Sequence, residues 1–217
     1  MPALITWWKL DLAELAPGAH HDAVLAIGTD LVRRWTEPHR GYHDTRHLVE
    51  VFWALEDLEA GGEIDSRLGV LGRLVGWFHD AVYDPSAAAG ANEADSADLA
   101  VRDLRALGLA DKDVELVRDL VLATTTHDLR EGGLAAAFHD ADLWILSAPA
   151  ERYAEYTAAV RAEYAAVPDD AFRSGRAAIL RPFLDRESIY ATSTAREGWE
   201  DRARANLVQE IADLTTA

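Results

Sequence analysis

Cysteine is absent from this chain. Disulfides and thiolate chemistry are therefore excluded, and a reducing, cytoplasmic setting is the expectation. Long hydrophobic runs are missing as well: nothing approaches the roughly 18 apolar residues that a membrane span needs. The opening MPALITWWKLDLAEL has neither the basic lead nor the apolar centre of a signal peptide, so no leader is expected. Positive charge is scarce, with 21 Lys and Arg against 38 Asp and Glu and a formal net charge of -17. Such a field repels phosphate backbones and anionic lipid, which argues against extended nucleic acid and membrane surfaces as partners. Alternating strand patterns and a Gly-rich phosphate loop are also lacking, which leaves no Rossmann or P-loop reading.

What is present is helix periodicity. Hydrophobic residues form 49% of the 217 residues, enough for a sizeable core. Apolar positions recur at three- and four-residue spacing over 20–36, 45–60, 65–82, 92–107, 111–127, 133–147, 149–166, 169–184 and 195–214. Stops at EAGGEID, YDPSAAAG, ALGLADK, REGG and VPDD divide these segments, and DPSAAAGANE reads as a flexible loop. The prediction is an all-α, single-domain helical bundle, monomeric or homodimeric. Paired Trp7 and Trp8 could mark a protein contact.

His-Asp pairs stand at 21-22, 43-44, 79-80, 127-128 and 139-140. Adjacent helical residues are turned about 100° apart but rise only about 1.5 Å, so such a pair makes half a metal site. The pair that qualifies must share an apolar face with other misplaced ionisable groups. His79 follows Val75 by four residues on the stripe Leu68, Leu71, Val75 and Phe78, while Asp80 follows Gly76 by four, where a missing side chain leaves room. His47 precedes Val51 by four, and Asp142 follows Phe138 by four. A buried carboxylate without a partner costs several kcal/mol or takes up a proton. One cation bound by His47, His79, Asp80 and Asp142 would remove that cost for all four.

The remaining pairs read differently. Asp22 is an ordinary first-turn charge. Asp44 or Thr45 caps the helix that follows, and His43 either reaches a substrate or belongs to the turn. His127 is either a site residue or a histidine stabilised by helix-end carbonyls. Asp140 reads as an acceptor behind the ligands, and His139 as a surface residue.

In order, His47, the doublet His79-Asp80 and Asp142 resemble the H…HD…D signature of the HD superfamily of metal-dependent phosphohydrolases. RGYHDTRH, WFHDAVYD, NEADSA, TTTH and DADLWIL resemble a bacterial single-domain branch of predicted HD phosphohydrolases, with the match spread over 40–146. The resemblance implies an HD-type bundle, completed by the motif-free helices of about 149–215. It also implies one divalent cation, manganese or iron-like, with magnesium, nickel, cobalt or zinc as further options. Asp142 rather than Asp140 is the last ligand, because the superfamily's final Asp precedes a short apolar turn, as in ADL. Guanosine tetraphosphate hydrolases of that superfamily carry acids at the third and fourth positions after the doublet. Here those positions hold Tyr83 and Asp84, which argues against that activity and leaves Asp84 to orient water. Glu93 stands either at the mouth of the site or as a first-turn acid behind Asn92 as N-cap, and His127 would share the work of Asp84 and Glu93. Arg40, Tyr42 and His43 would hold a phosphate, with Arg40 gripping it in a bidentate fork. The expected activity is hydrolysis of a small phosphate ester, possibly a nucleotide, by metal-activated water. Two alternatives are an HD-type di-iron oxygenase and a non-catalytic metal- or ligand-binding regulatory module.

Overall fold

The computed structural model describes residues 2–128 and 132–216; Arg130 and Glu131 of the expected REGG stop lie outside them. All regular structure among the described residues is helical, as the periodicity predicts. None of these helices is long and apolar enough to cross a membrane. The elements are α1 (Pro2–Leu15), α2 (His21–Trp35), α3 (Thr45–Ala60), α4 (Ser66–His79), α5 (Ala91–Ala106) and α6 (Asp111–Ala123). After them come α7 (Gly133–Asp142), a 3₁₀ turn (Leu143–Ser147), α8 (Ala150–Glu163), α9 (Asp169–Asp185), α10 (Ser193–Gly198) and α11 (Glu200–Thr215).

At the centre, α3 packs on α4 and α7, while α5 and α6 cover α4 and α11 closes over α9 and the 3₁₀ turn. Small residues let α3 and α4 approach closely: a Cβ added at Gly76 would sit 2.9 Å from the Phe52 ring. Asp44 starts α3 by accepting from the backbone N–H of Arg46 and His47, and Asp65 starts α4 by accepting from Leu68 N–H. One apolar cluster draws on every α-helix.

Several expectations need correction. The N-terminal segment forms α1, whose apolar residues lie too densely for an amphipathic stripe to stand out. Trp8 is fully buried and donates to Val24 O at 2.7 Å, while Trp7 packs edge-on to Phe52, so the tryptophan pair belongs to the core. The segment 65–82 leaves helical geometry after His79, the segment 111–127 ends at Ala123, and 133–147 tightens into the 3₁₀ turn after Asp142. The segment 195–214 breaks between Gly198 and Glu200. The loop after Asp84 is tied down by Asn92, whose side chain bonds both Asp84 N–H and Asp84 C=O, so Gly90 at φ 79° takes the cap position foreseen for Asn92.

Candidate metal centre

Three helix ends meet at one point. His47 lies in the first turn of α3, His79 ends α4 with Asp80 as its C-cap, and Asp142 ends α7. His47 Nε2 lies 3.1 Å from His79 Nε2 and 3.2 Å from Asp142 Oδ1, and His79 Nε2 lies 3.1 Å from Asp80 Oδ2 and 3.3 Å from Asp142 Oδ1. Ligand bonds of about 2.1 Å meeting at about 90–110° place donor atoms about 3.0–3.4 Å apart. These separations are the edges of such a polyhedron. His47, His79 and Asp80 offer donor atoms that all lie within 4.8 Å of one another. Asp142 falls outside that mutual triple, yet its Oδ1 is as close to both imidazoles as they are to each other, and on those direct distances we place it in the cluster.

The imidazoles are set for ligation by their other nitrogens. His79 Nδ1 donates to Gly76 O at 2.9 Å, so in the neutral ring Nε2 carries a bare lone pair. His47 Nδ1 lies 2.9 Å from the Tyr42 hydroxyl. Both rings are buried, and Trp35 and Phe138 rings stand 5.5 Å from His79. The field at this point calls for a cation. Burial alone would lower the His79 pKa, but the charges of Asp80 and Asp142 hold it well above the usual range. Burial would raise Asp142, yet the charge on His79 and hydrogen bonds from His47 and His79 hold it well below the carboxylate range, and Asp80 is lowered in the same way.

A cavity of about 240 Å³ opens over the cluster, lined by Asp80, Glu93, Thr124, His127, Asp142 and Tyr156 among others. A larger groove of about 570 Å³ between α8, α9 and α11 contains none of the predicted site residues. His127 enters the cavity from beyond the end of α6 in the left-handed conformation, φ 47°, with Nε2 3.8 Å from Asp142 Oδ2. Its carbonyl accepts from Arg186 and lies 3.2 Å from His139 Nε2, and burial lowers the pKa of its ring.

Several predicted roles do not survive the geometry. The Arg40 guanidinium is fully enclosed and donates to the carbonyls of His43, Asp80 and Ala81, so it pins the backbone beside the ligands and has no free face for phosphate. Asp84 is exposed, accepts from Ser86, and lies outside the cavity lining. Tyr42 reaches the cavity, but its hydroxyl is committed to His47. His139 is buried rather than on the surface; its Nε2 lies 3.2 Å from His127 O and its Nδ1 2.9 Å from Asp140. Asp140 accepts from Ala191 N–H, Thr192 N–H and the Thr192 hydroxyl, anchoring the segment before α10 instead of backing a ligand.

Glu163, at the end of α8, is the residue that sequence reasoning missed. Its carboxylate accepts from the backbone N–H groups of Gly41, Tyr42 and His43, lies 2.8 Å from His43 Nδ1, and accepts from the Tyr83 hydroxyl. Burial works against its charge, but these donors lower its pKa to about 2. His43 is raised in return: burial would lower it, and the hydrogen bond to Glu163 with the charge of Asp80 overrides that. The ring stacks on Tyr83 at 4.3 Å and faces the cavity.

Comparison with protein-family models, with curated proteins and with solved structures brought no match to this chain.

Proposed function

We propose that the chain is an HD-type metal-dependent phosphohydrolase that cleaves a small phosphate ester with water. The observation that supports this most is the spacing of His47, His79, Asp80 and Asp142 donor atoms at 3.1–3.8 Å on the floor of an open cavity. Two nitrogens and two carboxylate oxygens suit a borderline divalent cation with positions to spare, such as manganese or iron. Held there, such a cation supplies Lewis acidity and a water acidified toward neutral pH.

The chain's own residues divide the remaining work. His127, kept neutral by burial, accepts a proton from water in the cavity, and Glu93 at the mouth passes protons to solvent. His43, whose pKa the Glu163 contact raises, takes over the role expected of Arg40 and stabilises negative charge on the phosphoryl oxygens. Tyr42 and Gly76 O hold the two imidazoles in ligating orientation.

The test is phosphate release from a panel of monoesters and nucleotides with added manganese. Asp80→Ala should lose activity on the order of 100-fold or more. Equal rates in the two proteins would discard the reading. Two-metal oxidative chemistry has one observation in its favour, since Asp142 Oδ2 faces His127 at 3.8 Å while Oδ1 faces the other two histidines. Two irons per chain with oxygen-dependent turnover would favour it.

A further inference from the structure

Behind the metal cavity the space continues. A second lobe of about 540 Å³ shares His43, Glu93, His127 and Tyr156 with it and runs between α8 and α9. That volume lies in the range of pockets that enclose a small organic ligand, about 300–1,000 Å³. Its walls are Leu146, Val160, Tyr164, Phe172, Leu180 and Phe183, with Ile179 61% exposed at the rim. Nothing in the metal chemistry calls for such a wall.

Charge points the same way. Arg176 is the only lysine or arginine among the described residues lining either lobe, and it is engaged by Glu210 at 2.8 Å and the Tyr156 hydroxyl at 2.6 Å. Arg40 is consumed by backbone carbonyls. Glu93 adds negative charge to the lining. A cation in the centre and His43 can compensate one phosphate group; the second and third phosphates of a nucleotide would meet no cation and an apolar wall. A polar sugar would lose its water there without partners.

Resting on the phosphohydrolase reading, we propose that the substrate is a phosphate monoester of an apolar alcohol, with its single phosphate on the metal centre and its alkyl or aromatic body in the lobe between α8 and α9. Hydrolysis breaks the phosphorus–oxygen bond to the alcohol. Water supplies the new oxygen on phosphorus and gives a proton to His127, while the leaving alkoxide takes a proton from solvent by way of Glu93.

The experiment uses the full chain loaded with manganese and n-alkylphosphonates from methyl to octyl, which cannot be hydrolysed, with binding read by calorimetry. Kd should fall about fourfold per methylene, the equivalent of about 0.8 kcal/mol, and then level off as the lobe fills. In Gly175→Trp, the added side chain starts from a lobe-lining position with nothing within 4 Å of its Cβ, so its first atom meets no clash. The series should level off at a shorter chain. In turnover, kcat/KM for octyl phosphate should exceed that for butyl phosphate on the order of 100-fold, and nucleoside triphosphates should be poor substrates. A Kd independent of chain length, or a preference for triphosphates, overturns this inference; manganese-dependent phosphate release abolished by Asp80→Ala would still uphold the phosphohydrolase. Absence of both metal uptake and ester hydrolysis removes the phosphohydrolase reading, and this inference with it.

Discussion

Tyr42 and Glu163 act on the centre without offering it a ligand atom. The Tyr42 hydroxyl at 2.9 Å from His47 Nδ1 holds the ring's orientation. Tyr42→Phe should weaken manganese binding about 10–100-fold while the fold persists, read by calorimetry. Glu163 gathers the 41–43 backbone and His43. Its pKa is depressed from 4.5 to about 2, so its contribution is fully present above 4.5 and is lost as pH falls toward 2. His43 is raised above 6.5, so its share is fully present below 6.5 and is lost as pH climbs through the raised value. The contact is therefore strongest between these limits. Glu163→Gln should cost roughly 1–3 kcal/mol in urea unfolding at pH 6 and less at pH 3.5; a cost that grows with acidity would contradict the assignment. The four clustered side chains, His47, His79, Asp80 and Asp142, were legible because each is an ionisable group on or beside an apolar stripe. Glu163 was not, since its partners are backbone amides some 120 positions earlier, and no pattern within α8 marks it. Arg40 misled for the same reason, as two of its acceptors are the carbonyls of Asp80 and Ala81.

Helices were easier to find than their ends. Period and capping located α2 through α9, because one face of each is apolar and Asp44 and Asp65 are strong N-caps. The ends of α4, α6 and α7 ran short of prediction where the chain brings His79, Asp80, His127 and Asp142 together, so the period yields to the geometry of the cluster at those places. Two glycines inside helices show where propensity and packing part. Replacing glycine by alanine in a helix interior ordinarily gains about 1 kcal/mol. Gly175→Ala in α9 should follow that rule, since its Cβ meets nothing. Gly28→Ala in α2 should instead lose about 1–3 kcal/mol, because its Cβ would stand 2.3 Å from the Trp8 ring, which is fully buried and held by Val24 O. Thermal unfolding of the two variants side by side checks the sign. A gain at both positions would mean that α1 does not dock on α2 as described.

For the whole molecule, a net charge of -17 means that folding gathers acidic groups, two of them around one buried point. A dication binding there favours the folded chain alone, because the unfolded chain does not bring α3, α4 and α7 together. At about 100 times its Kd, manganese should add about 2.7 kcal/mol, which for a chain of this size raises Tm by about 5–10 °C. An acidic surface also attracts cations without any site, and that contribution must be told apart. Surface attraction fades at high salt, where the Debye length falls to about 3 Å near 1 M, whereas a buried ligand set is screened far less. The site-specific part of the shift should therefore persist in concentrated sodium chloride, reverse with chelator, and vanish in Asp80→Ala and Asp142→Ala. A shift that salt abolishes, or that both variants retain in full, would assign the effect to the surface and leave the cluster of histidines and aspartates without a cation.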